Sequence, residues 1–390
     1  MQASIYKKNR TITGINCITG KAAALFFEND ILIDVLEKES GQQHLPFIGP
    51  GLIDLQINGI NGIDFNNPDL TPQDVVTATY YLLSKGITTF LPTVITNSDE
   101  NICKLVHTIY TACLSDPVVN DCIWGIHVEG PFISPLPGAK GAHDEKYIRA
   151  PDWETFQKFQ AAAGGKIKLT TMAPEWEGAT AFIEKCNTHN ILVSIGHSMA
   201  DSEQIATAVK AGASLATHVG NAVPLLLPRH PNILFDILAE EALYACLITD
   251  GIHIPGSFIK VVMKNKGDHT LLVSDATCFA GMPAGEYQNH IGGTVIVDNE
   301  KRVSLKSTPG MLAGAAKSLL EDVEYLINQH LASAGESWKM ASTNVAKMLA
   351  KNDKTFYNKH DDLVIFKFNG KEIQVEKVIK NKRVVFERNS

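Results

Sequence analysis

The chain has 390 residues, 45% of them hydrophobic and 20% charged, with a formal net charge of −7. This is the balance of a soluble globular protein with room for one large barrel and a smaller domain. An acidic surface argues against a nucleic-acid partner, whose phosphates need basic groups. No apolar run approaches the roughly 20 residues that cross a bilayer. The opening MQASIYKKNR has no apolar core behind its charges, so no signal peptide is expected. Seven scattered cysteines without a Cys-x-x-Cys spacing fit reduced thiols, and a cytoplasmic protein with no membrane partner is expected.

From Ser4 to about Pro46 the pattern is short and β-rich, with AALFFEND and ILIDVLEK flanking a turn at Asn29-Asp30. From Pro50 the rhythm changes to alternating strands and helices. A strand at 52–57 precedes a helix capped by Thr71, with Pro72 at its first position and Gly86 closing it. Strands follow at 88–95, 123–128 and 167–172, with helices near 98–114, 152–163 and 178–189 between and after them. Two short apolar runs end in Gly196-His197-Ser198 and Thr217-His218-Val219. Strands at 243–249 and 270–274 enclose a helix near 256–265 and complete eight units. Eight is the number of a (β/α)8 barrel of the α/β class.

Residues 282–310 read as an irregular β-containing insertion, and 313–331 as the final barrel helix. After a helix near 338–350, period-2 alternation returns, with a hairpin signal at Asn369-Gly370. Neither terminal β segment can bury a core alone. The expected organisation is therefore a barrel over 50–352 and one small β-sandwich assembled from 1–49 and 353–390.

The chemistry sits where strands end. Within 191–222 alone, His197 and His218 serve equally well as metal ligands or as strand caps. Glu129 ends the third strand, and Asp275 follows the eighth. Barrel geometry brings all four to the carboxyl-end mouth. Glu129, His197 and His218 supply three ligands with an open fourth position, the arrangement of a catalytic zinc-type site. Asp275 is then the general base and acid for hydrolysis of an amide or ester. His143, in the loop PGAKGAHDE, could swing over a substrate carbonyl, and Arg229 could bind an anion. Cys278 has no neighbour that would activate a thiolate. His44, His107, His189, His230, His269, His290, His330 and His360 read as structural or surface residues.

The ordered set PGLIDLQINGINGIDFN, HVEGPFISP…KGAHDEKYI, SIGHSMA, THVGNAV, DGIHI and SDATCFAGMPAGEY resembles the N-acetylglucosamine-6-phosphate deacetylase family of the amidohydrolase superfamily. The likeness runs from about residue 48 to 350, and HDDLVIF matches the family's return to its sandwich. It implies that Glu129, His197 and His218 bind one divalent metal, zinc first, with iron, manganese or cobalt also suitable. It implies that Asp275 moves the proton and that His143 polarises the acetyl carbonyl. The substrate would be an amino-sugar phosphate held by the backbone of Asn221 and Ala222, with Arg229 and His253. A homodimer is implied, with phosphate contacts crossing between subunits in some members.

Three departures stand out. Gln56 and Asn58 replace the His-x-His of many superfamily members, leaving Gln56 at most a weak second-metal or water-ordering group. Gly220 stands where the family usually has an aromatic residue, and RHPN replaces REPG. These leave open a related N-acylated sugar such as N-acetylgalactosamine 6-phosphate. Another mononuclear amidohydrolase, or a sugar-phosphate binder without catalysis, are the remaining readings.

Overall fold

In a computed structural model, which describes residues 9–38, 45–289, 293–352 and 362–388, eight parallel strands run in sequence order around a barrel. They are Leu52–Ile57, Ile87–Ile95, Ile126–Glu129, Ile167–Met172, Leu192–Ile195, Leu215–Ala216, Tyr244–Leu247 and Thr270–Leu272. The seam between the eighth and the first is closed at the mouth. Asp275 N donates to the Gln56 carbonyl at 2.9 Å, and Asn58 N donates to the Ala276 carbonyl at 2.7 Å. Asp54 staples the same seam. Its buried carboxylate accepts from Ser274 Oγ at 2.6 Å and Ser274 N at 3.1 Å. Burial pushes its pKa up to about 7 against these hydrogen bonds.

The helices follow from their caps and apolar stripes. In Pro72–Ser84, Thr71 and Asp74 form a capping box, and Val75, Ala78, Thr79, Leu82 and Leu83 line one buried face. The barrel interior has two halves. Ile53, Leu55, Leu91, Leu169, Leu215 and Leu271 fill its amino end and pack on Val345, Met348 and Leu349 of the helix Thr343–Asn352. Above them the lining turns polar. His127 Nε2 lies 2.8 Å from Thr171 Oγ1, which lies 2.8 Å from Thr217 Oγ1, itself 2.6 Å from Ser194 Oγ. An apolar floor plugged by a helix leaves only the carboxyl-end mouth for chemistry.

The insertion is an antiparallel four-stranded sheet, Gly285–Asn289, Gly293–Val297, Arg302–Leu305 and Thr308–Ala315. The last barrel helix is accordingly shorter than the expected 313–331. Ala313–Ala315 pair as strand, with Gly314 at φ 105, and the helix is Leu319–Asn328. The expected helix at 338–350 is two, Ala334–Met340 and Thr343–Asn352. The third strand starts at Ile126, three residues late, and Ile123 makes only an isolated bridge to Phe90.

Both ends of the chain do join in one β unit, but its ladders close into a ring of seven strands in place of two stacked sheets. Ile15 pairs with Phe47, and Arg383 pairs with Ile31. Closure satisfies edge N–H and C=O groups that an open sandwich would expose. The two hairpin turns are where the sequence put them, with Asn29 and Asp30 at φ 53 and 61 and Gly370 at φ 90. No helix among the described residues is long and apolar enough to cross a membrane, and all seven cysteines are free. His44, His290 and His360 lie outside the described residues.

Candidate active site

Four side chains reach the mouth from four strand ends. Glu129 is the last residue of the third strand. His197, His218 and Asp275 each follow their strand by two or three residues and adopt left-handed backbone, at φ 50, 27 and 47. Such conformations cost about 1–3 kcal/mol each and persist only where surroundings over-determine them. Here the surroundings are explicit. His197 is clamped by the loop before His143, and Glu175 accepts Ser198 Oγ at 2.6 Å and Met199 N at 2.8 Å.

Glu129 Oε1 lies 3.3 Å from His197 Nε2 and 3.3 Å from His218 Nε2, and the two nitrogens are 3.1 Å apart. Ligands about 2.0–2.1 Å from a tetrahedral zinc would stand about 3.3 Å from one another. His197 Nδ1 is 2.9 Å from the Ala139 carbonyl, which can only accept. Its proton is therefore on Nδ1, and Nε2 offers a lone pair to the cluster. His218 turns Nε2 to the same point and leaves Nδ1 buried without a partner among the described residues. One carboxylate oxygen and two imidazole nitrogens converging at tetrahedral edge length suit a divalent cation. Burial pushes Glu129 upward, but the hydrogen bonds and charge that the His197 and His218 rings supply when protonated at Nε2 outweigh it and hold its carboxyl well below the usual range. Burial pulls His218 down, and its bond to Glu129 more than reverses that.

Asp275 stands beside this cluster. Its Oδ1 accepts from Asn58 Nδ2 at 2.7 Å and Gln56 Nε2 at 3.1 Å, and Gln56 Nε2 also donates to Glu129 Oε1 at 2.8 Å. The Gln56 amide therefore faces two carboxylates with its NH2 group, as a brace. Burial and then the Glu129 charge bring Asp275 up to about 6. His143 packs edge-on against His197, ring centres 4.5 Å apart, and its Nδ1 lies 2.7 Å from Thr96 Oγ1. Burial lowers its pKa to about 3, so its ring is neutral. Glu129, His143 and His197 also offer ligand atoms within 4.8 Å of one another. His218, with Nε2 3.3 Å from Glu129 Oε1 and 3.1 Å from His197 Nε2, is the better third member.

The outer residues are less gathered. His253 Nδ1 is 2.7 Å from buried Asp250, and its charge is among those that lower Asp275. Asn221 Nδ2 donates back to the His218 carbonyl at 3.3 Å, and Ala222 follows at φ 51. Arg229 is exposed on the loop after them and is not brought into the cluster. His107, His189, His230 and His330 are exposed, and His269 is half-buried against Tyr244. Residue reading passed over Asp54, Thr96, Ala139 and Glu175. Asp54 alone had a signal, because Asp54, Gln56 and Asn58 alternate along one strand and share a face. The others act through tertiary contacts.

No family model matches the chain. It is 32% identical over 322 residues to N-acetylglucosamine-6-phosphate deacetylase of Bacillus subtilis, a match covering 81% of this chain and 79% of that protein. It is 30% identical over 326 residues to the Vibrio furnissii protein of the same name, covering 81% and 79%. The crystal structure of N-acetylglucosamine-6-phosphate deacetylase from Thermotoga maritima superposes with a TM-score of 0.81 at 27% identity, covering 97% of this chain and 99% of that one. With an eight-stranded barrel, a terminal β unit and a buried carboxylate–histidine cluster at its mouth, the chain belongs to the N-acetylglucosamine-6-phosphate deacetylase family of amidohydrolases.

Proposed function

We propose that this protein hydrolyses the acetamide of N-acetyl-D-glucosamine 6-phosphate to glucosamine 6-phosphate and acetate, in amino-sugar catabolism. The observation that carries the reading is the convergence of Glu129 Oε1, His197 Nε2 and His218 Nε2 within 3.1–3.3 Å, beside the Asp275 carboxylate. These three atoms would hold one divalent ion, with zinc the first candidate and iron, manganese or cobalt also compatible with a His2Glu set. Such an ion supplies Lewis acidity, polarising the acetyl carbonyl and making water a nucleophile near neutral pH.

The chain's own groups do the rest. Asn58 and Gln56 occupy Asp275 Oδ1, which leaves Oδ2 to take a proton from the attacking water. The same proton then passes to the sugar nitrogen as the C–N bond breaks and acetate leaves. His143 Nε2–H would donate to the acetyl oxygen as charge builds on it. Gln56 braces both carboxylates and is not itself a ligand. The Asn221 and Ala222 backbone, His253 and Arg229 would hold the sugar phosphate. Arg229 follows Leu225 and Leu226, which are fully or almost fully exposed. Two bare leucines beside an anion-binding arginine favour a homodimer in which that loop packs on a partner, and sedimentation would read it. A cytoplasmic location is part of the same reading.

The deciding experiment is acetate release across N-acetylhexosamines, each with and without a 6-phosphate. Turnover confined to the 6-phosphates supports the roles of Arg229 and His253, and indifference to phosphate removes them. Preference for the galactosamine epimer would move the substrate while leaving the chemistry in place.

A further inference from the structure

Thr96 follows the second barrel strand and is 5% exposed. Its hydroxyl lies 2.7 Å from His143 Nδ1 and 3.5 Å from the Glu129 carbonyl. The fold keeps that position open. At Gly130, which sits at φ 85, a Cβ would collide with Thr96 Oγ1.

A neutral imidazole carries one N–H, so the partner of Nδ1 decides what Nε2 is. If His143 Nδ1 donated to Thr96, Nε2 would carry the lone pair of a ring that packs against His197 and lies beside Glu129. His143 would then have an electron pair with which to compete for a cation. If Thr96 donates to Nδ1, Nε2 carries the proton and can only donate. The geometry points to the second state: Thr96 is a positioning residue that fixes His143 as its Nε2–H tautomer, keeping it a hydrogen-bond donor to the reacting oxygen and out of the ligand set.

Two distances carry the choice. A separation of 2.7 Å is the usual length of a hydroxyl-donated bond and lies at the short end of the roughly 2.7–3.2 Å range of N–H···O. The alternative acceptor for the hydroxyl among the described residues, the Glu129 carbonyl, is at the 3.5 Å limit. A Thr96 that accepted from His143 would leave its own proton poorly bonded in a buried place, which is costly. Burial supports the argument, since an uncharged ring has a tautomer to choose.

The consequence for turnover rests on the deacetylase reading, whereas the tautomer does not. The test uses zinc-loaded, 15N-histidine-labelled full-length protein, with His143 ring nitrogens assigned by their loss in His143→Gln. NMR should find Nε2 protonated and Nδ1 bare in the wild type. Thr96→Val, nearly isosteric, should release the Nδ1–H form, and Thr96→Ser should restore the wild-type pattern. On N-acetyl-D-glucosamine 6-phosphate, Thr96→Val should lower kcat about 10- to 100-fold with KM within about twofold and zinc content unchanged. Thr96→Ser should recover most of that loss. An Nδ1–H ring in the wild type overturns the proposal, as does a Thr96→Val protein with unaltered tautomer and kcat. Should the valine variant not fold, the wild-type and serine spectra decide it alone. An Nε2–H ring in a protein that releases no acetate would sink the deacetylase reading and leave the tautomer assignment standing.

Discussion

Asp275 must be ionised to act as a base in a place where burial and the Glu129 charge both resist ionisation, and its carboxyl is brought to about 6. Only the deprotonated form can accept a proton, so kcat/KM should fall as pH drops through that value. A bound cation favours the carboxylate and moves the limb lower still. Asp275→Asn keeps the size and loses the basicity. Turnover should drop by about 10²- to 10⁴-fold, the acid limb should disappear, and zinc per chain should stay unchanged, because Asp275 is not among the three converging atoms. Metal analysis beside a pH–rate profile checks all three. Loss of zinc from Asp275→Asn would make Asp275 a ligand and undo the division of labour.

The left-handed turns that end the fifth, sixth and eighth strands deliver histidines and a carboxylate to the barrel mouth, and a loop runs on from each. Gly220 is on the loop after the sixth strand. It sits at φ 101, and a Cβ would stand 2.8 Å from Phe258 Cε1 on the helix Gly256–Lys266. Space that a side chain at 220 would need is thus taken by the Phe258 ring of that helix. Gly220→Ala should cost about 1–3 kcal/mol, from the backbone and the collision together. Adding Phe258→Ala should relieve the Phe258 share of the collision, while Ile254 Cγ2 at 3.0 Å and the backbone part remain, so the double variant should be less destabilised than the two losses summed. Urea unfolding of the four proteins measures it.

Across the whole molecule, the terminal ring and the catalytic barrel are joined through Trp338. Its indole stacks on Phe366 at 4.4 Å and 7° and donates to the Pro50 carbonyl at 2.8 Å. Gly49 has no room for a Cβ beside it. Lys380 makes a second tie, with Nζ 2.7 Å from Asp362 Oδ2 and 3.2 Å from Thr89 Oγ1 of the second barrel strand. Trp338→Ala should destabilise by about 3–5 kcal/mol, seen as a lower urea midpoint. Since Pro50 lies two residues before the first barrel strand, Gln56 near that strand's far end should feel the change less than stability does, and KM should hold.

Sequence alone determined what depends on period and local chemistry. Eight strand–helix alternations, the Thr71 cap, the Asn29-Asp30 and Asn369-Gly370 turns, and Glu129, His197, His218 and Asp275 at strand ends were all legible. Each is set by residues a few positions apart, and a parallel barrel puts every strand end on one face. Other features were decided only in three dimensions. Closure of the terminal ring needed Arg383 to meet Ile31 across the length of the chain. Residues 313–315 joined a strand because a neighbouring ladder offered hydrogen bonds to it. The lone pair of His197 was set by a carbonyl 58 residues away, and His143 met Thr96 across 47. No window of sequence contains those pairs. The stretch that holds His197 and His218 marks where metal chemistry is expected, while ring orientation and proton position belong to contacts that only folding creates.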